Sequence, residues 1–173
     1  VFVTAGAGNG GLSVAAGARV FGAKAVIYLA EAVPKAFAAR LRASGAEVVR
    51  AGATYEASMT AAEAAAAAED LYSMGITSGV MVVASFNPAP SDELAAKLAG
   101  FRTVMTVEAH YITGGLGSWV SEVIAERGLS CRLIRCGVKE LPDSLTGKQD
   151  YLQHRHGLSR DALVQTARQV LSG

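Results

Sequence analysis

Residues 1–16 read V-F-V-T-A-G-A-G-N-G-G-L-S-V-A-A, a short β-prone run, a burst of glycine and a helix-favouring stretch with nothing between them. A strand that turns at once into a helix opens a βαβ unit, and such units build parallel sheets. Gly6, Gly8 and Gly11 satisfy the spacing G-x-G-x-x-G, with Asn9 and Gly10 inside it. With no Cβ in the way, backbone N–H groups of such a turn and the positive end of the helix can approach an anion closely. Glu31 follows Gly11 by 20 residues, where a dinucleotide fold places the carboxylate that binds a ribose 2′-hydroxyl. Three readings stay open for this loop. It is a tight structural turn with Glu31 solvated, an adventitious phosphate or sulfate site, or a nucleotide-binding module built on Gly6, Gly8, Asn9, Gly10, Gly11 and Glu31.

The strand-then-helix rhythm continues outward from this opening. β-rich runs occur at 1–4, 24–30, 47–51, 79–84, 103–107 and 131–136. Between them, segments 11–21, 34–44, 55–74, 91–99 and 116–127 carry apolar residues three to four apart, and 159–171 closes the chain in the same way. Pro34 suits a first helical turn, and Ser91, Asp92 and Glu93 suit a helix start after Pro90. Ser159 suits an N-cap with Asp161 in the first turn, and Gly22, Gly45, Gly75, Gly100 and Gly128 stand where left-handed caps are wanted. The expected fold is a single α/β domain over 1–173. Its sheet is doubly wound (flavodoxin-like or Rossmann-like), mostly parallel, of five or six strands with helices on both faces. The Ala-rich run 61–68 is helix-favouring composition and no repeat.

Composition agrees and excludes several classes. The 173 residues are 51% hydrophobic and 18% charged, which supplies a core and excludes a disordered chain, a collagen or a disulfide scaffold. Sixteen basic residues against fifteen acidic ones leave a net charge of +1 without a basic block, so no nucleic-acid or anionic-lipid partner is expected. Apolar runs stop short of the about 18 to 20 residues of a membrane helix, and no basic-then-apolar signal opens the chain, so a cytoplasm-like location is expected. Cys131 and Cys136 share one extended segment, about 16 to 18 Å apart and beyond disulfide reach, and are expected to be buried free thiols. His110, His154 and His156 give no zinc spacing around them, so no metal site is expected.

Glu108, His110 and Tyr111 follow the run 103–107 and precede Gly114, Gly115 and Gly117. They fall at the carboxyl ends of the strands, where such sheets bind ligands, and a Glu–His pair there can do general acid/base work. No nucleophile accompanies it, and no catalytic residue is assigned. Trp119, early in a helix, is a core residue or an interface anchor of a homodimer.

Two resemblances overlay this pattern. T-A-G-A-G-N-G-G-L-S-V-A-A-G-A-R-V-F-G-A-K-A-V-I-Y-L and P-K-A-F-A-A-R-L-R-A-S-G-A-E-V-V-R-A-G-A-T-Y-E-A-S resemble fold type II pyridoxal-phosphate enzymes, in the diaminopropionate ammonia-lyase and threonine dehydratase branch, over about residues 1–66. That family's loop reads S-A-G-N-H-G, so the resemblance puts Asn9 beside the cofactor ring, with Gly6 in place of Ser and Gly10 in place of His. It also implies that the Schiff-base lysine lies upstream of this segment and the phosphate loop in another domain. No pyridoxal phosphate anchor is therefore expected here, and neither Lys24 nor Lys35 is marked as one.

From about residue 69 onward, L-Y-S-M-G-I, V-E-A-H-Y-I-T-G-G-L-G-S, R-L-I-R-C-G-V and Y-L-Q-H-R-H-G-L-S-R-D-A-L-V resemble the transketolase C-terminal domain. In that family thiamine diphosphate is held by the other two domains and the third supports the dimer, so no thiamine diphosphate anchor is expected either. Together the resemblances imply an engineered chimera, joined within the helix 55–74, that serves as a scaffold without a complete active site. The enzymatic alternative is a transketolase or lyase subunit that depends on a partner.

Overall fold

The computed structural model describes residues 2–5, 9–83, 90–139 and 147–172. The chain forms two compact units, Val1–Ala84 and Ser85–Gly173.

The first unit alternates β1 (Phe2–Ala5), α1 (Asn9–Val20), β2 (Ala25–Leu29), α2 (Lys35–Ala43), β3 (Glu47–Arg50) and α3 (Tyr55–Ser73). Its strands pair in parallel in the order β1-β2-β3. Alternation along β2 sorts the two faces. Ala25, Ile27 and Leu29 meet Ala15 and Ala18 of α1 and Ala38 and Leu41 of α2, whereas Val26 and Tyr28 meet Met59, Ala61, Ala62 and Ala65 of α3. Alanines on the helices bring them close to the sheet, so β2 is covered on both faces, as its unbroken apolar sequence requires. Thr54 caps α3 by accepting the Ala57 N–H at 3.3 Å.

The second unit holds α4 (Ser91–Leu98), β4 (Thr103–Tyr111), α5 (Leu116–Glu126), β5 (Arg132–Val138), α6 (Gln149–Arg155) and α7 (Arg160–Leu171). β4 and β5 pair in parallel. Leu94, Ala95 and Leu98 of α4 pack with Val120 and Val123 of α5, and Trp119, Val104 and Leu133 border that cluster. Trp119 Nε1 donates to Ser91 Oγ at 3.3 Å, so the ring serves this unit's core and ties α5 to the start of α4. Leu163 and Val164 bury one face of α7.

The protein is α/β with parallel strands and helices, as the alternation predicts. Several details differ. Among the described residues the strands form a three-stranded and a two-stranded sheet, where the pattern predicts one of five or six. Residues 79–83, read as a strand from their valines, form none, and Ala84 lies outside the described residues. Strand propensity marks a segment fit for a pleated surface, and pairing needs an edge as well. Helix α6 is seven residues long, too short to show a helical period in sequence. Of the five capping glycines, Gly22, Gly45, Gly75 and Gly128 take positive φ. Gly100 does not, because Ala99 stays helical and the chain leaves α4 through a turn from the Phe101 N–H to Leu98 O. No helix among the described residues is long and apolar enough to cross a membrane.

Cys131 and Cys136 are both free, Cys136 buried and Cys131 only half-buried, because Cys131 precedes the strand proper. Burial raises the Cys136 thiol pKa, with a smaller opposing pull from Lys139. A thiol reagent is therefore expected to label Cys131 readily in the native protein and Cys136 only after unfolding. Equal labelling rates for the two would contradict this burial.

Burial also raises the Tyr28 hydroxyl, helped by the charge of Glu47. Both groups become charged on losing a proton, so the folded state holds their protons more tightly than the unfolded one. Their contribution is complete below the ordinary values of 9.0 for the thiol and 10.0 for the phenol and is lost as pH rises through the raised ones. The urea midpoint is expected to fall between about pH 8 and about pH 11, and a flat profile there would count against it.

Candidate functional site

The residues of the glycine-rich loop differ in how far they are placed. Gly6 and Gly8 are outside the described residues. Asn9 and Gly10 open α1, and Gly11 is buried in its first turn. Glu31 stands in the turn after β2 and is tied to the carboxyl end of β3. Arg50 Nε lies 3.4 Å from Glu31 Oε2, Arg50 Nη2 donates to Glu31 O at 2.5 Å and Nη1 to Val33 O at 2.7 Å. The Glu31 N–H in turn donates to Gly52 O at 2.8 Å. Arg50 thus clamps the loop after β2 through two carbonyls and the carboxylate. Sequence reading missed it, because its partners Glu31 and Val33 lie far away in sequence and only the pairing of β2 with β3 brings them to it.

The most built polar cluster lies in the second unit, where β4 ends and α5 begins. Thr106 and Glu108 are two apart on β4 and share its buried face, while Arg135 is the cross-strand partner of Thr106. Beyond Val107 the ladder is irregular, with Glu108–His110 of β4 opposite Gly137 of β5. Such a bulge re-aims side chains at a strand end.

The Glu108 side chain is only 2% exposed, and its two oxygens accept the N–H groups of Leu116 at 2.8 Å and Gly117 at 3.0 Å. A carboxylate of the chain itself thereby occupies the helix N-terminus where an external anion could bind. The helix start is shaped around it. A Cβ on Gly115 would run into the Glu108 carboxylate, and one on Gly117 would meet Arg135 Nε at 2.6 Å and Glu108 Oε1 at 3.0 Å. Arg135 Nη2 donates to Ile112 O and, at 3.0 Å, to Ser118 Oγ, while Ser118 Oγ accepts the Gly114 N–H at 2.9 Å. Thr106 Oγ1 and Arg135 Nε are buried without a hydrogen-bond partner among the described residues.

The Glu108–His110 pair, to which no catalytic role is assigned, comes together in space. His110 Nδ1 lies 3.3 Å from Glu108 Oε2 and 3.1 Å from Tyr111 O, with its ring 58% exposed. Both carboxylate oxygens are held by helix N–H groups, so Glu108 acts as a cap, and His110 and Tyr111 stand at the surface beside it. Thr106, Arg135 and Ser118 were missed in sequence, since their meeting depends on strand register and on the turn 112–115. Among the described residues no group of three or more His, Cys, Asp or Glu could hold a metal ion.

Comparison with known proteins gives a family and a second likeness. The family described as "Pyridoxal-phosphate dependent enzyme" matches residues 1–139, well beyond the stretch whose motifs suggest it. The chain belongs to the pyridoxal-phosphate dependent enzyme family. It is also 36% identical over 101 residues to one subunit of the apulose-4-phosphate transketolase of Actinobacillus succinogenes, covering 58% of this chain and 32% of that one. To a putative transketolase C-terminal section of Methanocaldococcus jannaschii it is 37% identical over 102 residues, covering 59% and 31%. The chain thus spans about a third of the length of these curated relatives. A solved split-gene transketolase, described as an inactive β4 tetramer, aligns over 96% of this chain and 82% of its own with a TM-score of 0.60 at 17% identity. That likeness shows the α/β fold.

The chain's lysines do not fit the cofactor of the pyridoxal-phosphate family. All five are exposed. Lys24 pairs with Glu47 at 2.8 Å, and Lys97 lies 3.7 Å from Glu93. The hydrogen bond and charge of Glu47 raise the Lys24 pKa, opposite to the lowering that makes an amine a nucleophile. Lys35, Lys139 and Lys148 stand in water as well. The described residues therefore offer no desolvated amine to hold the aldehyde.

Proposed function

We propose that this chain is an engineered hybrid α/β scaffold, a pyridoxal-enzyme portion joined within α3 to a transketolase C-terminal portion, without a complete active site. The observation that carries this reading is the commitment of Glu108. The one buried carboxylate among the described residues is fixed on the start of α5, and its neighbours Arg135 and Ser118 hold the adjoining turn. The family match and the transketolase relatives support a two-part composition, and the exposed lysines support a chain that anchors no pyridoxal phosphate. An Ala-rich helix is a tolerant place for a seam, because small side chains ask little shape complementarity of the sheet beneath.

A second reading is a subunit that acts only with a partner. The printed names of its relatives favour it, one being a transketolase subunit and the other a transketolase C-terminal section. The scaffold reading predicts no turnover of amino acids with pyridoxal phosphate and none of ketoses with thiamine diphosphate. Turnover by the chain alone refutes it, and turnover only after a complementary transketolase section is added establishes the second reading. The same samples, melted with phosphate, pyridoxal phosphate, NAD or thiamine diphosphate, test the Gly6–Gly11 loop with Glu31 as a phosphate or nucleotide module. A ligand at 100 times its Kd adds about 2.7 kcal/mol of stability, and the scaffold reading expects the midpoint to ignore all four.

A further inference from the structure

His110 stands at the end of β4 with one ring nitrogen turned to the protein and the other to water. Its Nδ1 lies 3.3 Å from Glu108 Oε2 and 3.1 Å from the Tyr111 carbonyl oxygen. A carbonyl oxygen only accepts, and the two Glu108 oxygens already accept the Leu116 and Gly117 N–H groups. A ring that carries one proton therefore keeps it on Nδ1, between these acceptors, and leaves the Nε2 lone pair bare. Nε2 has no hydrogen-bond partner among the described residues, and the side chain is more than half exposed. The carboxylate that orients the ring is itself fixed, since it is buried and tied by both oxygens to the start of α5. His154 and His156 lack this setting, for neither is paired with a carboxylate among the described residues.

The surroundings suit a small anionic electrophile. The ring lies against Gly115, where a Cβ would meet His110 Cε1 at 2.6 Å. Gly115 is buried there, and its N–H finds no acceptor among the described residues. A backbone donor is thus left beside the ring for an incoming anionic oxygen. No donor is hydrogen-bonded to Nε2, so none stands ready to protonate a leaving group. The electrophile must then release a group that is stable as an anion, as an acyl phosphate does when it expels a carboxylate.

We infer that His110 is a phosphoryl-acceptor site, whose Nε2 takes the phosphoryl group of a small acyl phosphate while Glu108 acts as its positioning residue. The Nε2 lone pair forms an N–P bond as the bond from phosphorus to the bridging acyl oxygen breaks, and the carboxylate leaves with that electron pair. The Nδ1 proton stays in its hydrogen bond, so the step needs no separate base. The ring gains a positive charge, and the adjoining Glu108 carboxylate balances it. The inference goes beyond the hybrid reading and rests on the second unit alone.

The test uses the full chain with acetyl phosphate as the donor. A nitrogen–proton correlation spectrum of the chain with labelled histidine is expected to place the His110 proton on Nδ1. Peptide mass spectrometry in alkaline solution, which preserves phosphohistidine, is expected to find His110 modified at least about tenfold faster than the exposed His154. Phosphorus NMR of the product is expected to show attachment at Nε2, and His110→Asn to remove that signal. Glu108→Gln is expected to slow modification of His110 about tenfold and to leave His154 unchanged, with Trp119 fluorescence showing that the variant is folded. A proton on Nε2, equal rates at His110 and His154, or attachment at Nδ1 overturns the inference. So does a folded Glu108→Gln variant that reacts at the parent rate. The first three outcomes are read on the parent chain and decide even where Glu108→Gln does not fold.

Discussion

Glu108→Ala lowers the stability of the second unit by about 2 to 4 kcal/mol, read as a shift in the urea transition of Trp119 fluorescence. Trp119 is the only tryptophan of the chain and lies on α5, so its signal reports the unit concerned. Two terms add up in the estimate. The variant removes two charge-assisted hydrogen bonds from the Leu116 and Gly117 N–H groups and leaves those donors at a partly buried helix start. It also empties the space over Gly115 and Gly137, whose lack of side chains is fitted to the carboxylate and its stem. Glu108→Gln keeps the shape but turns an N–H₂ group toward a backbone N–H, so it is expected to cost at least about 1 kcal/mol. A loss below about 1 kcal/mol for Glu108→Ala would show that water replaces the carboxylate and that the cap is dispensable.

Ile27→Ala destabilises the first unit by about 3 to 4 kcal/mol, and Ile27→Val by about 1 kcal/mol. Ile27 is fully buried in the middle strand, in register with Thr4 of β1 and Val48 of β3. Its neighbours across the layer, Ala15, Ala18 and Ala38, are too short to swing into a void, and strands on both sides hold the backbone in place. The cavity therefore persists, which puts the cost in the upper half of the usual range for such truncations. Urea unfolding followed by circular dichroism measures it, and exchange rates in β2 and β3 locate it. A cost near 1 kcal/mol for the alanine variant would mean that α1 and α2 settle onto the sheet, contrary to the close contact described.

The elements that sequence placed best are those whose environment is repetitive. β2 and β3 carry apolar runs bounded by Gly, and α1, α2, α5 and α7 repeat apolar residues at helical spacing, so their ends fall within one or two residues of the pattern. The segment 79–83 has equally good strand composition and is unpaired, because pairing depends on an edge lying several elements away in sequence. At the candidate site the difference is sharper. Glu108 and His110 are legible as polar residues at a strand end followed by glycines. That Glu108 caps α5 follows from the position of the Leu116 and Gly117 N–H groups, which the turn 112–115 fixes. Arg50 and Arg135 were invisible as site residues, since each gains its role from carbonyls that register and turns bring to it.

Local order along the chain was thus determined by sequence alone: alternation of strand and helix, parallel pairing, near-neutral charge, two thiols too far apart to bridge, and the likeness to two enzyme families. Hydrophobic period and glycine placement act over a few residues, which is why they can be read without coordinates. The tertiary structure alone decided which strands found partners, where the chain divided into two units, and that the buried Glu108 carboxylate serves a helix end. Those outcomes depend on which distant groups meet, and the energy of a buried charge or an open sheet edge is set by its neighbours in space.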